Sequence, residues 1–362
     1  MYAANMAVVY GCDIMAFENL SKREQEVLAN LINYYISTAD PVGSRVIANK
    51  FKMGISSATI RNTLQDLEEL GLVIQPHTSA GRVPTDLGYR VYVDYLLKPE
   101  KLTASEKRYI RKSVLKDGQG INAVLGQTCH VLSDITNQLG VTIAPKFDEG
   151  VLRKINLIPI SEERLMVVVV VKSGLARSVI IEVKASFSDD ALHKVESVLN
   201  ERLSGLTLGQ IKKSISKRLA DVTGDGKLIK LIINAKEKIW SENRSGDIHI
   251  AGTDNLVKKP EFSDLIKISE LIKIIEDGKV LSDFLDNAIE EGLFITIGRE
   301  NKFREIMNCS LVTSQYKVGD VSGTIGIVGP TRMAYNKLVS IVEYTAKTIT
   351  EVLSGLTQKK EK

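Results

Sequence analysis

A short segment around residue 60 carries side chains that suit hydrogen bonding to nucleic-acid bases. Arginine can donate two hydrogen bonds to guanine, and asparagine or glutamine can bind adenine in the same bidentate way. Short hydroxyl groups at a helix start suit phosphate oxygens, because the helix dipole favours an anion there. Helical spacing places Ile60, Leu64 and Leu67 on one apolar face. The opposite polar face supplies the candidates for base or phosphate contact: Ser56, Ser57, Thr59, Arg61, Asn62 and Gln65.

The charges around this segment are segregated along the chain. Residues 41–65 include four basic residues and no acidic residue, whereas acids follow directly at positions 66, 68 and 69. Phosphate contact requires such a cationic surface. Ser44, Arg45 and Lys50 therefore join the candidates. Two simpler interpretations stay open, because Ser56 and Ser57 also suit helix caps and a charged run is often only a solvated face.

A small polar loop follows between two short apolar runs. Its composition suits a loop lying along a groove of DNA, with an arginine near the phosphates or in the minor groove. The alternative is an ordinary hairpin loop, and for His77 we favour a local hydrogen bond over a DNA contact. The candidates in this loop are His77, Thr78, Ser79 and Arg82.

The local sequence predicts a winged helix-turn-helix that positions these side chains. Ser21 and Glu24 form a capping-box pattern at the start of a first helix. A second helix, capped by Ser44, reaches Lys50, and a third covers positions 56–70. Strands at 72–74 and 82–84 enclose the polar loop as a wing. A last helix is capped by Thr85 and ends before Pro99.

The rest of the chain predicts a larger α+β body. Apolar, β-branched runs predict strands at 151–160, 164–171 and 176–183, and a largely helical stretch from 189 to 240 resembles an insertion. Further strands are predicted at 247–251, 292–297, 310–317 and 324–328, so one sheet would be assembled from both sides of the insertion. Pro330 is expected to open a closing helix from 331 to about 353.

Several long motifs together identify a family. The runs "SSATIRN", "PHTSAGRVPT" and "GYRVYVDYL", in this order, closely resemble the winged-helix domain of the heat-inducible transcription repressor HrcA. The runs "LRKINLIPI", "EGLFITIGREN" and "SGTIGIVGPTRMAYNKLVSIVEY" are similar to the GAF-like domain of the same family. The resemblance covers nearly everything after Phe17.

The resemblance implies a fold, a function and partners. The implied fold is multidomain α+β, with an N-terminal winged helix-turn-helix and a GAF-like antiparallel-sheet domain that carries an inserted, mainly helical dimerising domain. The implied function is that of a homodimer that represses heat-shock chaperone operons through an inverted-repeat operator, with assistance from the GroEL chaperonin. We also expect release on heat stress and, from the scattered cysteines, a cytoplasmic location. The expected divisions are a disordered leader (1–16), the winged helix (17–100), the GAF-like domain (101–187 and 261–357), the insertion (188–260) and a tail (358–362).

The composition and the motifs of the chain argue against several other classes of function. The 362 residues are 44% hydrophobic and 25% charged with a net charge of +4, which is typical of folded domains. Cys12, Cys129 and Cys309 lack metal-ligand spacing, and we expect a reducing compartment, no membrane partner and no cofactor. Glycines at 323, 326 and 329 lack the Lys and Ser/Thr of a phosphate loop, so we expect no enzyme. Two alternatives stay open, a small-molecule-sensing winged-helix regulator and a winged helix that only binds protein.

Overall fold

A computed structural model describes residues 20–78, 80–115, 121–183, 187–222, 226–240, 248–262, 269, 292–301 and 303–359. The predicted leader at 1–16 lies outside these residues, and so does Ser79 of the predicted wing. The C-terminal helix extends to Lys359 and therefore includes the first two positions of the predicted tail.

The N-terminal domain has the predicted order of elements. The capping box of Ser21 and Glu24 is formed at the start of the first helix. The second helix is capped by Gly43, not by Ser44, which is the first helical residue. The elements are α1 (Lys22–Thr38), α2 (Ser44–Phe51), α3 (Ser57–Glu69), β1 (Val73–Ile74), β2 (Val83–Pro84) and α4 (Asp86–Val91), which continues as a π-helix over Tyr92–Leu96.

Two helices and a strand that were not predicted lead out of this domain. They are α5 (Ala104–Val114), α6 (Ile121–Thr136) and β3 (Leu139–Ile143). Thr103 and Glu106 form a capping box at the start of α5. The buried residues of α6 include Thr128 and Ser133, so its apolar periodicity is interrupted and harder to detect.

The middle of the chain forms a three-stranded sheet covered by helices. The strands are β4 (Leu152–Ser161), β5 (Arg164–Val171) and β6 (Ala176–Glu182), paired antiparallel in that order. The helices are α7 (Asp189–Leu203), α8 (Leu208–Arg218), α9 (Gly226–Asn234) and α10 (Lys236–Trp240). Alternate residues of β5 are buried with side chains of these helices in one hydrophobic cluster.

The chain then returns to a second antiparallel sheet. Its later elements are β7 (Ile248–Ala251), α11 (Thr253–Val257), β8 (Leu293–Ile297), β9 (Cys309–Val318), β10 (Val321–Pro330) and α12 (Tyr335–Lys359). The strand order is β7-β3-β10-β9-β8. The predicted strands at 151–183 therefore do not join the C-terminal strands in one sheet, because their apolar face is buried by α7 to α10 instead. Strands β4 to β6, which the prediction places before the insertion at 188–260, therefore share a hydrophobic core with α7 to α10.

Two details at the end of β10 differ from or refine the prediction. Pro330 ends the strand opposite Cys309 and does not open a helix, since α12 begins at Tyr335. Glycine relieves crowding between β10 and β9 at position 326, where a Cβ would lie 2.6 Å from the Val312 carbonyl oxygen. A single hydrophobic cluster joins the winged helix to α5, α6, α12 and one face of the five-stranded sheet.

Candidate nucleic-acid interface

Helix α3 presents one buried and one exposed face. Ile60, Leu64 and Leu67 are buried in the core of the winged helix, where α3 contacts α1 and α2. Thr63 is buried with them, and its hydroxyl donates to the Thr59 carbonyl at 3.2 Å. This packing fixes the rotation of α3 about its own axis. It leaves Arg61, Asn62 and Gln65 exposed on the outer face.

The hydroxyl residues at the start of α3 have a structural role. Ser56 is the N-cap and its Oγ accepts a hydrogen bond from the Thr59 backbone N–H at 3.1 Å. The same Oγ lies 3.0 Å from the Thr59 hydroxyl. Ser56 is exposed, whereas Ser57 and Thr59 are half-buried. The capping interpretation therefore applies to Ser56, and its remaining hydrogen-bonding capacity faces solvent at the positive end of the helix dipole.

The cations next to α3 are exposed and are not neutralised by neighbouring acids. Arg45 on α2 and Arg61 on α3 form no ion pair with any residue that the structure describes. Lys50 is exposed and its Nζ lies 4.6 Å from the centre of the Tyr34 ring, a cation–π contact. Ser44 is half-buried. Further along the outer face of α3, the amide of Gln65 donates a hydrogen bond to the carboxylate of Glu69 at 3.4 Å.

The wing is attached to the body of the domain by backbone contacts. Arg82 and Val42 exchange two backbone hydrogen bonds of 2.8 and 2.9 Å, which adds the start of the helix-turn-helix to the wing sheet. A Cβ at Gly81 would lie only 2.4 Å from the Val42 carbonyl carbon. Glycine is therefore required at this crossing. These contacts fix the base of the wing against α2.

Side chains shape the rest of the wing. Gln75, which the sequence analysis missed, donates through its amide to the carbonyls of Thr78 (2.9 Å) and Ala80 (3.0 Å). His77 and Thr78 are exposed at the tip. The only sequence cue to Gln75 is an amide residue directly before the loop, a position from which it can bind loop carbonyls.

Arg82 forms an ion pair that the sequence analysis did not predict. Its Nη2 lies 2.7 Å from an oxygen of Glu68, and its side chain is 20% exposed. The other oxygen of Glu68 accepts from the Gln75 backbone N–H at 3.0 Å. Glu68 thus ties both strands of the wing to the end of α3. The acidic end of α3 therefore positions the wing.

The described residues also bear on metal binding, membrane insertion and thiol chemistry. In the ranges that the structure covers, no group of three His, Cys, Asp or Glu side chains is arranged to bind a metal ion. Across the same ranges, every helix is too short or too polar to span a bilayer. Cys129 and Cys309 are buried as free thiols, and burial raises the pKa of each to about 12.

Comparison with known proteins assigns the chain to a family. Residues 19–94 match the "winged helix-turn-helix transcription repressor, HrcA DNA-binding" family, and residues 122–339 match the "HrcA protein C terminal domain". Proteins named heat-inducible transcription repressor HrcA from Chlorobium chlorochromatii and Pelotomaculum thermopropionicum are 38% and 36% identical, over 94% and 93% of this chain and 99% and 98% of their own.

One solved structure shares the fold over most of the chain. A crystal structure described as a hypothetical protein superposes with a TM-score of 0.58 at 24% identity, covering 93% of this chain and 99% of its own. The matched winged helix includes the exposed face of α3 and the wing described above. The chain therefore belongs to the family of heat-inducible transcription repressors named HrcA.

Proposed function

We propose that this protein is a transcription repressor that binds, as a homodimer, an inverted-repeat operator upstream of heat-shock chaperone operons and releases it on heat stress. The observation that carries the proposal is the exposed polar face of α3, next to cations of α2 and α3 that no acid among the described residues neutralises. Family membership supports the same function, because the relatives bear the name heat-inducible transcription repressor. The proposal makes the chain a binding protein and assigns it no catalytic step.

Helix α3 is the element that reads bases in this proposal. Arg61, Asn62 and Gln65 face outward on successive turns and suit the donor and acceptor pattern of the major groove. Other residues, at the helix starts and on the cationic surface, are proposed to contact phosphates. Such contacts set the register of the protein on DNA without reading its sequence. These phosphate candidates are Ser44, Arg45, Lys50, Ser56, Ser57 and Thr59.

The wing supplies a second set of contacts to the DNA backbone or the minor groove. His77 and Thr78 are exposed at its tip, and Ser79 follows them in sequence. Arg82 reaches DNA in this proposal with the N–H groups that its ion pair with Glu68 leaves available. Because the ion pair holds the guanidinium in place, little side-chain entropy is lost on binding.

The dimer is proposed to form through an inserted domain within a GAF-like domain. The unit of β4 to β6 and α7 to α10 supports this role, because it has a hydrophobic core of its own. On its outer sheet face, Ile158 and Ile180 flank Met166 in register and are 41% and 45% exposed. Two copies joined in this way place two α3 helices on a near-palindromic site, at a distance of whole helical turns of roughly 10 base pairs.

Heat release is proposed to follow from loss of the dimer. Each half-site alone binds weakly, and linkage of two half-sites raises the affinity by about 10² to 10⁴. A body of marginal stability that loosens on heating removes this coupling before the winged helix itself unfolds. From the three scattered cysteines we propose that the repressor acts in the cytoplasm, and from the family resemblance that the GroEL chaperonin helps it to reach the active state.

Fluorescence anisotropy on labelled duplexes tests the proposal. The full chain is titrated onto an inverted-repeat chaperone operator and onto a scrambled duplex of the same composition, at several salt concentrations. We expect a strong preference for the operator and a logarithm of affinity that falls linearly with the logarithm of salt. Equal weak binding to both duplexes would reject sequence-specific repression and favour the ligand-sensing regulator or the protein-interaction module.

A further inference from the structure

An ion pair joins the winged helix to the five-stranded sheet. Arg90 on α4 is 3% exposed, and its Nε donates to an oxygen of Glu300 at 2.8 Å, while its Nη2 binds the second oxygen. The same Nη2 donates to the Ile295 carbonyl at 2.6 Å and Nη1 to Asp94 at 3.1 Å. Arg90 therefore donates hydrogen bonds both to the winged helix, at Asp94, and to the body, at Glu300 and Ile295. Burial lowers the pKa of Arg90, but the hydrogen bonds and charges of Glu300 and Asp94 outweigh it, so the net pKa is raised.

The Glu300 side of this pair is also fixed. Glu300 lies in a short 3-10 turn after the edge strand β8, and its carboxylate accepts the Ile297 backbone N–H at 2.8 Å. Next to it, the Asp86 carboxylate at the start of α4 accepts the Arg299 backbone N–H at 3.1 Å. Gly298 has a φ of +55°, and a Cβ there would lie 2.2 Å from the Asp86 carboxyl group. The turn thus contacts α4 at two adjacent residues, Arg299 and Glu300.

A second attachment involves α1 and the ring of Tyr89 on α4. Arg332, which follows β10, donates to the Ile36 carbonyl of α1 at 2.8 Å and to Glu261 at 2.5 Å. The rings of Tyr89 and Tyr335 are tilted at 52°, with their centroids 5.9 Å apart. The winged helix therefore contacts the body through both α1 and α4. Rotation about either contact alone is blocked by the other.

These contacts are costly to break. A buried charge that loses its partner keeps its desolvation penalty, so the winged helix cannot swing away without leaving Arg90 and Glu300 unpaired or hydrating both. The shared hydrophobic core opposes the same movement. The orientation of α3 relative to the body is therefore fixed before any DNA is bound.

We propose that Arg90 and Glu300 are positioning residues that set the half-site spacing the repressor accepts. This inference rests on the proposed dimeric DNA binding. Neither residue touches DNA in the proposal. In a dimer whose winged helices are fixed to their bodies, the two α3 helices have one separation and one relative rotation. Only an operator with a matching centre-to-centre distance then binds both.

A spacing scan tests this inference in the full chain. Anisotropy is measured on a series of inverted-repeat duplexes whose central spacer is lengthened or shortened by one, two and three base pairs, and on a single half-site. For the unmodified chain we expect one spacing optimum and a loss of up to about 10²-fold away from it, because simultaneous binding is lost. Glu300→Gln should weaken binding at the optimum, flatten the spacing profile to within about tenfold, and leave half-site affinity unchanged.

Two further variants separate positioning from general destabilisation. Glu351→Gln removes an exposed ion pair with Arg111, 2.5 Å long, and should keep the unmodified spacing profile. Arg90→Lys keeps the charge but cannot reach both carboxylate oxygens and the Ile295 carbonyl, so it should give an intermediate profile even if Glu300→Gln fails to fold.

The outcomes are distinct. A folded Glu300→Gln or Arg90→Lys protein with the unmodified spacing profile, or with an equal loss at every spacing and on the half-site, overturns the positioning role. Failure of the unmodified chain to prefer the operator over a scrambled duplex would instead reject the proposed function itself.

Discussion

Replacing Gly81 by alanine perturbs the crossing that holds the wing against α2. The added Cβ would lie 2.4 Å from the Val42 carbonyl carbon, whereas ordinary contact begins at 3.4 Å, so the two backbones must separate by about 1 Å. Such a shift breaks the two hydrogen bonds of 2.8 and 2.9 Å between Val42 and Arg82. Each backbone hydrogen bond contributes about 0.5–1.5 kcal/mol, so local opening becomes easier by about 1–3 kcal/mol.

Hydrogen exchange measured by mass spectrometry follows this opening. The Val42 and Arg82 amides should exchange roughly 5- to 150-fold faster in Gly81→Ala, and operator affinity should fall because the wing is displaced. Gly43→Ala is the matched control: its Cβ meets nothing within 4 Å, and its effect should stay within about 0.5 kcal/mol.

A reporter in another domain excludes global effects. Trp240 is the only tryptophan and is buried in the separate cluster of β4 to β6 with α7 to α10, so its fluorescence transition in urea should be the same in both glycine variants. If the Val42 and Arg82 amides of Gly81→Ala exchange at the same rate as in the unmodified chain, and operator affinity is also unchanged, glycine is not required at this crossing.

Three more predictions follow from exposed and buried charges. Arg45→Ala should weaken binding to operator and scrambled duplexes alike and lower the salt slope by about 1, in anisotropy titrations; a loss confined to the operator would make Arg45 a base reader. In a Cys12→Ser background, Cys129 and Cys309 should resist a thiol reagent at pH 8 until the protein unfolds, because burial raises the pKa of both to about 12; rapid labelling of the native chain would contradict this. The hydrogen bonds of Glu106 to Lys337 and Thr103 lower its pKa from 4.5 to about 2, so its contribution to stability is present above pH 4.5 and is lost as the pH falls towards 2. Denaturation of Glu106→Gln across this range should show a difference from the unmodified chain that shrinks with acidity, and a constant difference would disprove the linkage.

The local rules of the sequence explain the winged helix well. The capping box at Ser21, the helical spacing on α3 and the two short strands predicted its elements, and the structure confirms them with shifts of one or two residues. Its polar candidates Arg61, Asn62 and Gln65 are exposed, as the apolar spacing required. Capping and periodicity act within a few residues, so they can be recognised without tertiary information.

Contacts between distant residues could not be predicted in the same way. The spacing of β4, β5 and β6 identified strands but not the sheet they would join, because alternating burial is satisfied equally by a neighbouring strand set or by α7 to α10. Arg82 was interpreted from its charge alone, and its ion pair with Glu68 depends on how the wing folds back on α3. The pair of Arg90 and Glu300 is separated by 210 positions and has no local pattern.

The most direct test of the account compares Arg61→Ala with the unmodified chain on operator and scrambled duplexes. Arg61 is exposed on α3, so its removal should not lower stability, and a lost bidentate base contact should cost about 1–3 kcal/mol, or roughly 5- to 150-fold in operator affinity. This loss should fall on the operator and leave the weak scrambled-duplex binding nearly unchanged. An Arg61→Ala protein that keeps the full preference for the operator would contradict base reading by α3.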